Sequence, residues 1–222
     1  MYLPHKTIYT AYPDNLMAYL VDGDEVRLRI DMDFTNFAQG PQYRYVPQNE
    51  MWLDKYGLDE APFYVQHMLT ERFWLAKGET DERAEKLAAI SEGAMRNRVD
   101  GPIPADLAQA VKKEYRGKFL GYDSWLVDGR KVRRVHPKFT LGGNFAVYDY
   151  IPKNTLWVDD RASIFGRKAD ELHEGVECHK MLDEGWDYPP AHRYANSKEK
   201  PYRQRYANDP MSALPDTYRS GS

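Results

Sequence analysis

From Glu25 to Met32 apolar and charged positions alternate, with Val26, Leu28, Ile30 and Met32 on one side, which is the period of a half-buried strand. Tyr43–Val46 and Glu50–Asp54 read as two further short strands flanking the turn signal Pro47-Gln48-Asn49. The period then lengthens. Glu60–Lys77 predicts a helix that stops at Gly78, and Thr80 then caps a second helix reaching about Arg96. The same order returns later in the chain. Lys131–Val135, Phe145–Tyr150 and Thr155–Asp159 read as strands, and Arg167–Glu184 as a helix ending at Gly185. Asp187 then caps a last helix with Pro189-Pro190 in its first turn, where missing N–H groups cost nothing. Pro47 and Pro152 cannot donate to a ladder and belong at a strand end or edge. Pro104–Tyr115 predicts one more helix, bridging the two series.

The recurrence extends to identity. Leu20-Val21-Asp22-Gly23 returns as Leu126-Val127-Asp128-Gly129, and Tyr43 to Asp54 returns as Tyr148 to Asp159. His67, Glu71, Gly78, Ala84, Ala88 and Glu92 answer to His173, Glu177, Gly185, Ala191, Ala195 and Glu199. A period of about 106 residues is too long for a solenoid, so two similar domains are expected. The predicted fold class is α+β: two tandem duplicated domains, each a small, mostly antiparallel sheet followed by a helical hairpin. The predicted boundaries are an N-terminal arm 1–17, repeat unit 1 at 18–97, a linker with the bridging helix at 98–123, repeat unit 2 at 124–204, and a tail 205–222.

Composition narrows the classes. With 222 residues and 42% hydrophobic content the chain can bury one or two ordinary cores. A net charge of −3 with interspersed signs argues against a nucleic-acid partner. Arg130-Lys131-Val132-Arg133-Arg134, a basic strand in this reading, is too small to change that. One cysteine, Cys178, excludes an internal disulfide framework and fits a reducing compartment. No apolar run approaches membrane-spanning length and the first residues lack a signal-peptide pattern, so no membrane partner is expected. The polar stretch from Tyr202 to Ser222 lacks periodicity and suits a latch onto another protein.

Candidate chemistry gathers on the hairpins. His67 and Glu71 stand four apart, as do His173 and Glu177, so each pair shares a helix face. On the partner helices Ala84, Ala88 and Glu92, or Ala191, Ala195 and Glu199, again recur every four; small residues let helices approach, so these stripes face the first helix. Counting rises along each helix puts Glu92 level with His67 and Glu199 level with His173. Each unit then points an imidazole and two carboxylates into one gap. That set suits Zn²⁺, Mn²⁺ or Fe²⁺ with open positions for water, giving His173, Glu177 and Glu199 as candidate ligands and His67, Glu71 and Glu92 as a degenerate copy. The competing reading is a buried hydrogen-bonded triad that fixes hairpin register without metal. Glu174, directly after His173, occupies the place of the general base in His-Glu-x-x-His metallopeptidases and is the candidate catalytic residue, although Glu177 stands where the second histidine would. Cys178, His179 and His192 lie nearby; Cys178 reads as an idle thiol, Trp52 and Trp157 as core, Asp54 and Asp159 as caps or turns, and Gly142-Gly143-Asn144 as a hairpin turn.

The run His173-Glu174-x-x-Glu177, then Gly185, Tyr188, Ala191-His192-x-x-Ala195 and Glu199, preceded by Pro152 to Asp159, resembles a pattern in uncharacterised bacteriophage and mobile-element proteins. The resemblance covers about 60 residues of the second copy. It implies a phage or mobile-element origin, hence synthesis in a bacterial cytoplasm and a place in the virion. The first expectation is therefore a non-enzymatic structural or interaction protein of a phage particle or related assembly, partnered by other proteins through residues 202–222. The second is a zincin-like, metal-dependent hydrolase with its site in repeat unit 2.

Overall fold

The structure is a computed structural model that describes residues 3–101 and 104–208. The chain folds as two compact units, one formed by 1–111 with 129–140 and the other by 112–128 with 141–222. Each copy of the repeat lays down the same elements in the same order. In the first these are β1 (Lys6–Ala11), β2 (Met17–Val21), α1 (Gly23–Arg29), β3 (Phe37–Gln39), β4 (Glu50–Asp54), α2 (Ala61–Ala76) and α3 (Asp81–Asp100). After a short α4 (Leu107–Ala110) come β5 (Lys112–Phe119), β6 (Tyr122–Val127), α5 (Gly129–Val135), β7 (Gly142–Asn144), β8 (Thr155–Asp159), α6 (Ile164–Leu182) and α7 (Tyr188–Asn208).

Both sheets are four-stranded and mixed, in the orders β1-β2-β4-β3 and β5-β6-β8-β7. Their outer pairs are antiparallel and the central pair is parallel, with Tyr19 opposite Trp52 and Trp125 opposite Trp157. A parallel pair needs a crossover, and the stretch through α1 or α5 supplies it. β4 is buried at all five positions because both sheet faces are covered. Met51 and Leu53 pack toward Tyr64 and Met68 of the hairpin, while Trp52 packs with Val26 and Phe34 on the α1 side.

The duplicated α+β architecture and both hairpins agree with the sequence reading; several strands do not. Glu25–Met32 and Lys131–Val135 are not strands but lie mostly in α1 and α5. Asp22 starts α1 by accepting from the backbone N–H groups of Asp24 and Glu25, and Val26 and Ile30, four apart, are the positions that reach the core. Tyr43–Val46 and Phe145–Tyr150 are turns; the strands there are Phe37–Gln39 and Gly142–Asn144. The helix expected over Pro104–Tyr115 shrinks to α4, and the supposed linker 98–123 contains β5. The supposed arm 1–17 contains β1, the counterpart of β5, so the repeat starts earlier than predicted. The tail begins later, since Tyr202–Asn208 continue α7; residues 209–222 lie outside the described residues. No helix among the described residues is long and apolar enough to cross a membrane.

Candidate metal centre

Hairpin packing fixes depth. Ala84 and Ala88 on α3, and Ala191 and Ala195 on α7, are all fully buried, so each pair of helices lies close together. His67 Nδ1 consequently meets Glu92 Oε2 at 2.9 Å, and His173 Nδ1 meets Glu199 Oε2 at 2.8 Å. Each glutamate is held from behind by an arginine one turn on. Arg96 Nε donates to Glu92 at 2.7 Å and Arg203 Nε to Glu199 at 2.5 Å. Those arginines end on further buried acids, Glu60 and Asp170 respectively. The depth counted from sequence is what the structure displays in both units.

Beyond this shared chain the units differ. In the second, Glu177 Oε2 lies 2.8 Å from His192 Nδ1 and 3.5 Å from His173 Nε2, while the two imidazole nitrogens are 3.1 Å apart. Ligands at Zn–N distances in a tetrahedron are about 3.3–3.4 Å apart, so this triangle has nearly the edge lengths of one tetrahedral face. Among the described residues it is the single group of three such donors drawn within 4.8 Å. Glu199 is not part of it. Its carboxylate sits on Nδ1 of His173, the nitrogen away from Glu177 and His192, and orients the ring, as carboxylates do behind metal-binding histidines. The sequence reading grouped His173, Glu177 and Glu199; the structure groups His173 and Glu177 with His192, and sets Glu199 on the other nitrogen of His173. His192 was noted only as a neighbour, although Ala191-His192 follows the alanine stripe that faces α6.

The centre has one donor that sequence reasoning missed. Asn144 of β7 gives one N–H to Glu177 Oε1 at 2.9 Å and the other to Glu174 Oε2 at 2.8 Å, while its own carbonyl accepts from Ala146 and Val147. The signal was available in the duplication, because Gln39 occupies the same place in β3 and donates to Glu71 at 2.6 Å. Gly142 explains how Glu174 fits. A Cβ there would come within 3.0 Å of the Glu174 side chain. The first copy has Phe37 and Met68 at these two positions, and Met68 is buried in the core.

Charge follows geometry. Burial and the neighbouring Glu177 push the Glu174 carboxyl far above the ordinary range. Burial also opposes ionisation of Glu177, but hydrogen bonds from His173 and His192 outweigh it and hold that carboxyl well down. Burial disfavours a charged His173, yet its bonds to Glu177 and Glu199 raise its pKa well above the usual imidazole value. Two neighbouring carboxyls on one helix are thus pushed apart, Glu174 toward its protonated form and Glu177 toward its ionised form. His192 keeps 28% of its side chain exposed and stacks against Tyr188, so the triangle is open to solvent on the α7 side.

Among the described residues of the first unit no such triangle forms. Glu92 again lies behind the histidine, and the oxygens of Glu71 take the amides of Gln39 and Gln42 at 2.6 and 2.5 Å. The position of His192 is taken by Glu85, which pairs with Lys138 at 3.2 Å. His67, Glu71 and Glu92 are neighbours around one cavity, not a ligand cage. Of the remaining candidates, Cys178 is buried against Tyr122 and Leu156, and Trp52 and Trp157 are fully buried. Asp54 caps Tyr56 and pairs with Arg27, and Asp159 caps Arg161. No protein-family model, no curated protein and no solved structure matches this chain.

Proposed function

We propose that the second unit is a divalent-metal centre serving a metal-dependent hydrolase, with His173 Nε2, Glu177 Oε2 and His192 Nδ1 as ligands. The observation carrying this reading is the 2.8, 3.1 and 3.5 Å triangle of one carboxylate and two imidazole atoms, backed by Glu199. Two histidines and a carboxylate are the donor set of catalytic Zn²⁺ sites that keep a fourth position open, and the set also accepts Mn²⁺ or Fe²⁺. A cation there supplies Lewis acidity and makes nearby water a better nucleophile. The chain supplies the rest. Glu199 orients His173, Asn144 holds Glu177 and Glu174 apart, and Glu174 accepts and returns a proton at its carboxyl oxygen, the general acid–base role that its raised pKa supports near neutrality.

Elemental analysis of protein purified without added metal tests the reading. One equivalent of Zn, Mn or Fe per chain is expected, lost in His192→Ala and in Glu177→Gln but retained in Glu174→Gln. Metal-free protein that takes up no divalent ion on titration would retire it.

A second reading has its own support. The chain His–Glu–Arg–acid is present in both hairpins, whether or not a second histidine accompanies it. That recurrence suits a register-fixing role in a structural or interaction protein, the role the resemblance to phage and mobile-element proteins implies. Stable folding and assembly of a His192→Ala variant with no hydrolytic activity in the parent would favour it.

A further inference from the structure

In the first unit a cavity of about 240 Å³ is bordered by Glu85, the counterpart of His192. That is room for several waters, and two polar groups on its lining keep hydrogen-bonding capacity that the fold does not use. Asn36 is 5% exposed and its side-chain amide makes no hydrogen bond among the described residues. His67 is 7% exposed and bonds through Nδ1 alone; its Nε2, like Asn36, belongs to the cavity wall and has no hydrogen-bond partner among the described residues. Both groups face the cavity and keep hydrogen-bonding capacity for whatever enters it.

The wall specifies the chemistry. Glu92 engages Nδ1 of His67 and leaves Nε2 without a protein partner among the described residues. Asn36 adds a carbonyl. Each Glu71 oxygen receives one amide N–H, and a carboxylate oxygen can accept more than one donor. The rings of Phe37, Tyr43 and Tyr64 provide π faces on the same wall. Lys138, the cation on the lining, is 76% exposed and already paired with Glu85. An acceptor-rich, aromatic-walled, net-acidic cavity complements a group with several N–H donors and a positive charge. We infer that this cavity binds a small primary amine, whose ammonium meets Asn36 Oδ1 and Glu71 while its apolar part lies against Phe37 and Tyr64. The site is separate from the proposed metal centre and stands or falls without it.

Isothermal titration of the full-length protein with phenylethylammonium chloride tests the inference, with phenylacetate as the shape-matched anion. Saturable binding of one equivalent of the amine is expected, with phenylacetate at least tenfold weaker. Asn36→Leu removes a polar contact, and Ala89→Leu fills the cavity from its α3 wall without touching a polar group; each is expected to weaken the amine at least tenfold. His192→Ala is expected to leave it unchanged. Should Asn36→Leu fail to fold, Ala89→Leu alone decides. The inference is overturned by absence of saturable amine binding, by equal binding of phenylacetate, by full affinity in Ala89→Leu, or by Zn²⁺ displacing the amine from the His192→Ala protein.

Discussion

Two pairs of residues separate a polar centre from a cavity on otherwise matching frames. Phe37 and Met68 in the first unit answer to Gly142 and Glu174 in the second. Glycine at the strand leaves space for a carboxylate on the helix, since a Cβ at Gly142 would meet the Glu174 side chain at 3.0 Å. The single-residue logic extends to Glu71, which keeps the position of Glu177 but not its environment. Burial raises the Glu71 carboxyl above its ordinary range, with His67 and the Gln39 hydrogen bond only partly opposing. A carboxyl raised in the fold contributes stability that is fully present below the unfolded value, about 4.3, and is lost as pH rises through the folded one. Glu71→Gln removes that dependence. Compared with the parent, the variant is expected to gain stability as pH rises above the unfolded value of about 4.3, read as urea midpoints at several pH values. A difference that stays constant with pH would contradict this account. At this scale much was legible, because duplication marks which side chains the unit kept. Asn144 escaped because its Gly-Gly-Asn run has the composition of a turn, and composition does not register that a three-residue strand lies against a helix.

At the scale of elements, legibility followed how many local signals agreed. The hairpins carry glycine stops at Gly78 and Gly185, a Thr80 cap that accepts from the Arg83 N–H, and alanine stripes, all consistent with one answer. Helices α1 and α5 have only two turns, and Val26, Leu28 and Ile30 satisfy a strand period as readily as a helical one. The Asp22 cap was the deciding feature there. β1 and β5 are edge strands with mostly exposed or half-exposed positions, so no alternation advertises them. The hairpin register should rest on the buried acid between imidazole and guanidinium. Glu92 is 2% exposed, and its loss leaves Arg96, fully buried, facing Glu60 alone. Breaking such a buried pair costs about 3–5 kcal/mol. Glu92→Gln is therefore expected to destabilise the first unit by about 3 kcal/mol in urea unfolding. His192→Ala, at a partly open side chain, should cost less than about 1 kcal/mol in metal-free protein. Similar small effects for both would remove the register role from the acid.

For the whole chain, the repeat in the sequence and the compact unit in space are not the same segment. The first unit takes residues 129–140 from the second copy of the repeat, so α5 completes a unit that its own strands β5 and β6 do not belong to. Arg133 of α5 is fully buried and donates to Glu60 through Nη2 at 2.8 Å and through Nε at 3.1 Å, while its Nη1 reaches the carbonyl of Thr140. Glu60 is itself fully buried and holds Arg96, so one carboxylate balances two guanidinium groups. A fragment of residues 1–111 would keep every strand and helix of the first copy and still lack this second cation. Replacing residues 112–128 by a flexible linker of about 17 residues, so that 129–140 follow 1–111, restores it. The joined protein is expected to exceed the plain fragment in stability by about 3 kcal/mol or more, the usual effect of completing a buried charge pair. The same joined protein carrying Arg133→Ala should fall back toward the fragment, which separates the ion pair from mere tethering of extra chain. Equal unfolding midpoints for the fragment and the joined protein would mean that the first copy folds without borrowing, and that the unit boundaries follow the repeat after all.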